Sequence, residues 1–308
     1  MRKFKYISNI TEDELNDNYV ISCINENNMP CILVKNSLVK TVTNFYSTDN
    51  LEVKFNSVLE SNGNSYYFHI ITSKRNDLLS NKQFETVFDY IFNKIETPVD
   101  EDELNSLFGS IEEYFRITPD PNNKKTQIGL FGELLTVKYL YQNGYQNVVN
   151  KYHKNFFLKH DIEINNELRI EIKATTSSNR IHTFKHDQIR RKDVDVIVSS
   201  LLLEEAQEGL SLFNLFEQII NINTDYENIF SLYKLMKSCG LDEDHQGVVI
   251  AEDQAILNLK FFNAADLPQL DIDSVDGVSK ITYDVDCTFA APIPINNVID
   301  LLNSNDNA

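Results

Sequence analysis

The first third of the chain alternates apolar and polar positions in a way that predicts strands, followed by helices. Strand-like segments, separated by Asn-rich loops, lie at Tyr19–Asn25, Pro30–Lys35, Leu51–Leu59 and Ser65–Ser73. Helical periodicity follows at about 78–95 and 101–116. This order predicts an antiparallel β-rich domain over residues 1–97, which ends at the Thr97-Pro98 step.

Residues 98–308 read as a second domain of mixed helices and strands. A helical segment at Thr126–Tyr141 precedes an alternating stretch at 160–174, and the apolar run Asp193–Leu203 is typical of a strand buried on both faces. Helices are predicted near 211–221 and 225–238, and strands near 247–251, 256–262 and 279–286. The second domain is therefore expected to be an α/β domain.

The stretch from His160 to Ala174 predicts a β-hairpin with one apolar face. Residues opposite each other in a hairpin share a face, so a three-residue loop at 165–167 fits, whereas a two-residue loop would pair apolar with polar residues. The expected pairs are Ile164 with Leu168, Ile162 with Ile170, and Asp161 with Glu171.

Two carboxylates and a lysine share the polar face of this hairpin. In the expected register the Cβ atoms of Asp161 and Glu171 lie about 4.5–5.5 Å apart, where like charges repel unless a cation lies between them. Carboxylate oxygens suit Mg²⁺ or Mn²⁺. Lys173 is placed to act on an attacking water or on charge developing at phosphorus. The pattern fits a site for phosphodiester hydrolysis, and it also fits the solvated face of an ordinary hairpin.

A third carboxylate is expected to join them from the preceding helix. Glu133 falls on the same side of this helix as three apolar residues, Leu130, Val137 and Leu140. A carboxylate there needs a metal, a cation or a proton, because burying it unpaired costs several kcal/mol. Gly129 and Gly132 are expected to let the helix approach the hairpin closely.

These residues resemble the motifs of the PD-(D/E)XK nuclease superfamily, which has the restriction-endonuclease-like fold. The resemblance narrows to a little-characterised bacterial family found near phage-defence and restriction-modification genes, and it extends into the stretch from Phe261 to Phe289. It implies a mixed sheet flanked by helices. The segments that carry it are Gly129-Leu-Phe-Gly-Glu-Leu-Leu135, His160-Asp161, Glu171-Ile-Lys-Ala174 and Gln188.

The resemblance implies a role for each motif residue. Asp161 and Glu171 would be the central metal ligands, Glu133 would complete the metal shell, and Lys173 would be the catalytic lysine. Gln188 would orient substrate or water. His160 stands where the superfamily motif has proline, which weakens the specificity of the motif more than its chemistry.

Charge is distributed unevenly along the chain. The formal net charge is −18, which argues against a surface that binds nucleic acid throughout. Residues 151–192 nevertheless contain ten Lys or Arg against five Asp or Glu, whereas the chain after Gly240 has 13 acidic and two basic residues. A basic region around the expected metal site would hold a phosphate backbone. The candidate residues are Lys151, Lys154, Lys159, Arg180, Lys185, Arg190, Arg191 and Lys192.

The spacing of the histidines bears on the expected type of metal, and the cysteines and apolar runs bear on the expected cellular compartment. His182 and His186 have a spacing compatible with zinc, but no cysteine or acidic residue accompanies them at zinc-binding spacing. The four cysteines are scattered, and we find neither a secretory leader nor an apolar run of about 18 residues. A cytoplasmic protein with no membrane association is expected.

The sequence thus predicts a Mg²⁺-dependent endonuclease that hydrolyses DNA, with Mn²⁺ as a substitute. We expect it to act in a bacterial anti-phage defence or restriction-type system, with protein partners from that system. Two alternatives stay open. The chain could be a non-catalytic binding or scaffold subunit of a defence complex, or an acidic mimic of DNA, which the basic region disfavours.

Overall fold

The computed structural model describes residues 5–38, 43–152, 160–190, 194–271 and 280–306, with only the backbone described at 78–80. The chain folds as two compact units, Met1–Ile117 and Thr118–Ala308. The helix Glu101–Arg116 belongs to the first unit, so this division differs from the domain boundary expected near residue 97.

The first unit is built on a six-stranded sheet. Its elements are β1 (Lys5–Tyr6), α1 (Glu12–Asp17), β2 (Val20–Ile24), β3 (Pro30–Lys35), β4 (Phe45–Ser47), β5 (Leu51–Ser61), β6 (Asn64–Ser73), α2 (Leu78–Lys94) and α3 (Glu101–Arg116). The strand order is β1-β2-β3-β6-β5-β4, and all neighbours except the parallel pair β1 and β2 are antiparallel. The β-rich character of the N-terminal part and its four predicted strands are confirmed.

Helix α3 covers part of this sheet with aromatic residues. Phe108 of α3 meets Phe55 of β5 edge to face at 6.2 Å between ring centroids and stacks on Tyr46 of β4. Asp100 caps the helix by accepting hydrogen bonds from the amides of Asp102 and Glu103. The helix predicted at about 101–116 from its periodicity is confirmed.

The second unit contains the expected mixture of helices and strands. Its elements are α4 (Lys124–Gln142), α5 (Val148–Lys151), β7 (Ile162–Glu163), β8 (Leu168–Thr175), β9 (Ile181–Lys185), α6 (His186–Ile189), β10 (Asp195–Leu202), β11 (Glu205–Ser211), α7 (Leu212–Ile222), α8 (Tyr226–Ser238), β12 (Val249–Ile250), α9 (Glu252–Asn258), β13 (Lys260–Asn263), β14 (Thr282–Asp286) and α10 (Ile295–Asp306).

A four-stranded mixed sheet of order β13-β10-β8-β7 forms the centre of this unit. Strands β8 and β10 are parallel, and the outer pairs are antiparallel. Ile162 pairs with Ile170, and the Ile164 amide bonds to the Leu168 carbonyl, so the predicted hairpin register is confirmed. The α/β fold class with helices flanking a mixed sheet is confirmed.

Helix α4 packs tightly against β8. A Cβ atom on Gly132 would overlap Ala174, the residue after Lys173, so the absence of a side chain permits this contact. A Cβ atom on Gly129 would meet no atom within 4 Å. The expected close approach is therefore confirmed for Gly132 and wrong for Gly129.

The central sheet is covered on both faces. Ile170, Ile197 and Leu201 belong to the core that includes α4 and α7, whereas Val196 and Val198 pack in a second cluster with Phe184 of β9. Arg169 and Glu171 on the polar side of β8 are accordingly buried, at 9% and 2% exposure. The hairpin face that carries the candidate residues is therefore not a solvated surface.

Candidate functional site

Four elements bring the predicted site residues to one cavity of about 700 Å³. Glu133 comes from α4, Asp161 immediately precedes β7, Glu171 and Lys173 lie on β8, and Gln188 is on α6. The cavity wall includes all five, Glu133, Asp161, Glu171, Lys173 and Gln188. The residues predicted to form one site are therefore neighbours in space.

Asp161 is fixed by the backbone of the opposite strand. Its Oδ2 accepts a hydrogen bond of 2.6 Å from the amide of Ile172 on β8. The chain bends at Asp161, so the carboxylate takes the bond that a continuing strand would have made. This contact places Asp161 beside Glu171, as the register predicted.

Glu171 is buried among three polar side chains. Its Oε1 accepts a hydrogen bond from Gln188 Nε2 and pairs with Lys173 Nζ, each at 2.7 Å. His160 Nδ1 lies 3.2 Å from Oε2. With 2% of its surface exposed, Glu171 is held in one orientation by these neighbours.

His160 lies behind Glu171, and its side chain is 1% exposed. Its Nε2 is buried without a hydrogen-bond partner among the residues described. Because Nδ1 faces a carboxylate, the tautomer with a proton on Nδ1 donates to Glu171. A histidine thus occupies the superfamily's proline position and orients the neighbouring carboxylate.

Lys173 reaches the cavity across an aromatic ring. Its Nζ lies 5.2 Å from the centroid of Phe184 as well as 2.7 Å from Glu171. The cation–π contact and the ion pair both hold the ammonium at the cavity wall, where the side chain remains 22% exposed. This placement gives a positive charge beside the carboxylates.

Glu133 is partly buried and contacts a fully buried tyrosine. Tyr152 OH donates to Glu133 Oε2 at 2.8 Å. Burial and the neighbouring carboxylate raise the pKa of Tyr152 well above its ordinary value, so the hydroxyl remains protonated as a donor. Tyr152 could not be selected from the sequence, because its contact depends on how α5 and β7 pack.

The three carboxylates repel one another. Burial raises the pKa of Asp161 well above its ordinary value, and the charges of Glu171 and Glu133 raise it further. The Ile172 amide and Lys173 oppose this shift only in part. The cavity therefore has an excess of negative charge that a cation would compensate.

The donor set suits a hard divalent cation in its chemistry. Glu133, Asp161 and Glu171 all supply oxygen atoms, the ligands that Mg²⁺ and Mn²⁺ prefer. As the side chains stand, no group of three His, Cys, Asp or Glu within the described ranges could hold a metal ion. Lys173 and Gln188 both bind Glu171 Oε1, so Glu171 can become a ligand without losing these contacts only through Oε2, which also faces His160.

The predicted phosphate-binding residues have different environments. Lys185 is exposed, whereas Lys151 pairs with Asp306 at 2.9 Å and Arg190 with Asp271 at 2.6 Å. Lys154, Lys159, Arg191 and Lys192 lie outside the described residues. The basic region therefore contains both exposed and internally paired cations.

Arg180 is a structural residue. It is 5% exposed, and its guanidinium donates to the carbonyls of Ser200 and Asn258 and to Ser200 Oγ. The prediction that Arg180 contacts phosphate is not supported, because these donors are satisfied inside the protein. An isolated arginine in a polar loop carries no sequence signal of such burial.

The two histidines considered for zinc do not converge. His182 Nε2 lies 2.6 Å from Ser200 Oγ, whereas the ring of His186 contacts Tyr283. Ser200 Oγ accepts from Arg180, and its O–H is able to donate to Nε2 of a neutral His182. Burial and the charges of Arg180 and Lys173 lower the pKa of His182 to about 4.

The model of one protein family matches almost the whole chain. This family is described as "Putative PD-(D/E)XK family member, (DUF4420)", and the match covers residues 6–288. The chain belongs to this family. The resemblance to the PD-(D/E)XK superfamily is therefore confirmed, and the match includes residues of both compact units.

Two further comparisons gave no relatives: no curated protein and no solved structure matches the chain. In the ranges that the structure describes, no helix is both long enough and apolar enough to cross a membrane.

Proposed function

We propose that the chain is a metal-dependent endonuclease that hydrolyses phosphodiester bonds in DNA. The observation that carries this proposal is the convergence of Glu133, Asp161, Glu171 and Lys173 on one cavity. Membership in a PD-(D/E)XK family supports the same chemistry. Activity in the cytoplasm, within an anti-phage or restriction-type system and with partners from it, belongs to the same proposal.

The carboxylates would hold the metal, and the other residues would organise them. Glu133, Asp161 and Glu171 are the proposed ligands of Mg²⁺ or Mn²⁺, which when bound would polarise the phosphate and favour attack by water. The Lys173 ammonium would move from Glu171 to the developing negative charge or to the attacking water. Gln188 would keep Glu171 oriented during this exchange, through the contact at Oε1.

Variants at Asp161 and Lys173 separate binding from chemistry. Asp161→Ala and Lys173→Ala should reduce cleavage of DNA at least about 100-fold, because each removes a group that acts on the reacting phosphate. Both should retain most DNA affinity, measured by fluorescence anisotropy in EDTA. Asp195→Ala and Lys260→Ala, at exposed positions outside the cavity, are the matched controls and should cleave like the wild type. Equal cleavage by all five proteins would refute the proposed roles.

A second candidate function is a non-catalytic nucleic-acid-binding subunit. The observation that favours it is the set of protein contacts to Glu171, which involve both of its oxygens. For such a subunit, Mg²⁺ should act only as a competing counterion and should not strengthen DNA binding, and the purified chain should cut neither single-stranded nor duplex DNA.

A further inference from the structure

The cavity of the candidate site adjoins two other cavities of the second unit. It shares Lys124 and Glu205 with one of about 650 Å³. It shares Thr176 and Glu205 with another of about 460 Å³. The three adjoining cavities are called the site groove, and Glu205 lines all three.

The two neighbouring cavities reach the site from different parts of its wall. One extends past Lys124 toward Gly240 and Gly247, and the other extends past Thr176 toward Asn258. A polymer that enters the site needs room beyond the reacting bond. The two neighbouring cavities provide such room, and both adjoin the cavity of the candidate site at Glu205.

An ion pair stands inside this groove. Lys124 Nζ lies 2.7 Å from Glu205 Oε2, and the two side chains are 62% and 40% exposed. Lys124 is the first residue of α4, and Glu205 is the first residue of β11. Ion pairs at this exposure are weak, so a phosphate with more negative charge can displace the carboxylate.

The negative charge of Glu205 is unfavourable in a groove that binds an anionic polymer. Its charge would repel a phosphodiester backbone unless the carboxylate moved or stayed paired. Lys124 is, in contrast, one of two adjacent lysines at the cavity wall, with Lys125. The pair therefore has one member that would attract the substrate and one that would oppose it.

We propose that Lys124 binds a backbone phosphate of the substrate strand and that Glu205 stays paired with Lys124 until this phosphate displaces the carboxylate. The proposal rests on the proposed nuclease function and specifies how that site takes up a nucleic-acid strand. Glu205 thereby lowers the affinity for short or weakly bound strands and leaves the cleavage chemistry to other residues.

Binding of labelled DNA by the full chain in EDTA tests this exchange. Glu205→Gln removes the competing charge, and Glu208→Gln removes the same charge from an exposed position on the same strand that lines none of the three cavities. Because both variants change the net charge equally, their difference reports the groove alone. Anisotropy titrations with single-stranded and duplex oligonucleotides at several salt concentrations give the affinities.

Glu205→Gln should bind DNA about 3- to 10-fold more tightly than Glu208→Gln. Lys124→Ala should weaken binding and reduce the slope of log affinity against log salt by about one, as expected for one lost phosphate contact. Lys260→Ala should leave that slope unchanged. In a Lys124→Ala background, the extra gain from Glu205→Gln should fall by at least half, since no lysine remains to be released.

Equal affinities for Glu205→Gln and Glu208→Gln, or an unchanged salt slope for Lys124→Ala, would overturn the proposed exchange. A cleavage assay on the same proteins separates the two proposals. If the protein cuts DNA but Glu205→Gln and Glu208→Gln bind DNA equally well, only the proposed exchange is overturned. A specific effect of Glu205 on binding without any cutting supports the exchange and overturns hydrolysis.

Discussion

The Glu171 carboxylate illustrates how the candidate site is held before any ligand binds. Lys173, Gln188 and His160 surround its two oxygens at 2.7 to 3.2 Å. Such contacts fix the orientation of a buried acid, and the Lys173 ammonium also supplies positive charge beside it, as a metal would. Metal binding through Oε1 would therefore replace one of these contacts, whereas Oε2 faces His160.

At the residue scale, His182 makes stability depend on pH. Its pKa is about 4 in the folded chain and about 6.5 when unfolded, so the unfolded state takes up the proton first as the pH falls. The stabilisation is complete above pH 6.5 and is lost progressively down to about pH 4. Between pH 7 and pH 5 this residue should lower the free energy of unfolding by about 2 kcal/mol.

Urea unfolding of wild type and His182→Gln at the two pH values checks this prediction. Glutamine retains a polar partner for Ser200 and does not titrate, so the variant should lose less stability between pH 7 and pH 5. The same loss in both proteins would show that His182 does not contribute.

Single residues also show which part of the site was predictable. Asp161, Glu171 and Lys173 were found because the alternation of a hairpin decides its register, and the register decides which side chains are neighbours. Tyr152 and the burial of Arg180 could not be predicted, since both depend on contacts between elements distant in the sequence. Their residue types carry no periodic signal.

At the element scale, the contact between α4 and β8 determines where Glu133 lies relative to Glu171. Gly132→Ala should destabilise the second unit by about 1–3 kcal/mol, because its methyl group would overlap Ala174. Gly129→Ala is the matched control on the same helix, where the added methyl meets no neighbour and higher helix propensity should stabilise by up to about 1 kcal/mol.

Thermal unfolding of the two glycine variants measures this difference. Gly132→Ala should also reduce DNA cleavage, because displacing α4 moves Glu133 away from the other carboxylates. A Gly132→Ala protein as stable as Gly129→Ala would show that the helix and the strand are not in close contact.

Most elements with a clear period were predicted, but α10 was missed although Val298, Ile299 and Leu302 follow a helical period. The strand predicted at 256–262 is wrong in part, because residues up to Asn258 form α9 and only β13 is extended. The short apolar run Ala255-Ile256-Leu257 fits either structure. Strand β11 has no alternating pattern, and β9 has a polar histidine at an inward-facing position.

At the scale of the whole molecule, the net charge of the chain and the lysines of the site groove have opposite effects on binding to nucleic acid. The net charge of −18 should slow non-specific association with nucleic acid, whereas the site groove contains Lys124, Lys125 and Lys173. An acidic protein whose site groove presents these lysines among its carboxylates should bind DNA weakly and with a strong dependence on salt. The family match shows that this arrangement occurs on a PD-(D/E)XK chain.

The most direct test of the nuclease proposal is DNA cleavage by wild type and Glu171→Gln in Mg²⁺ or Mn²⁺. The substrates are supercoiled plasmid and single-stranded DNA, with EDTA as the metal-free control. Wild type should cut only with metal, and Glu171→Gln, which keeps the shape of the side chain and removes its charge, should lose at least about 100-fold in rate. Metal-dependent cutting at the wild-type rate by Glu171→Gln would contradict the proposed site.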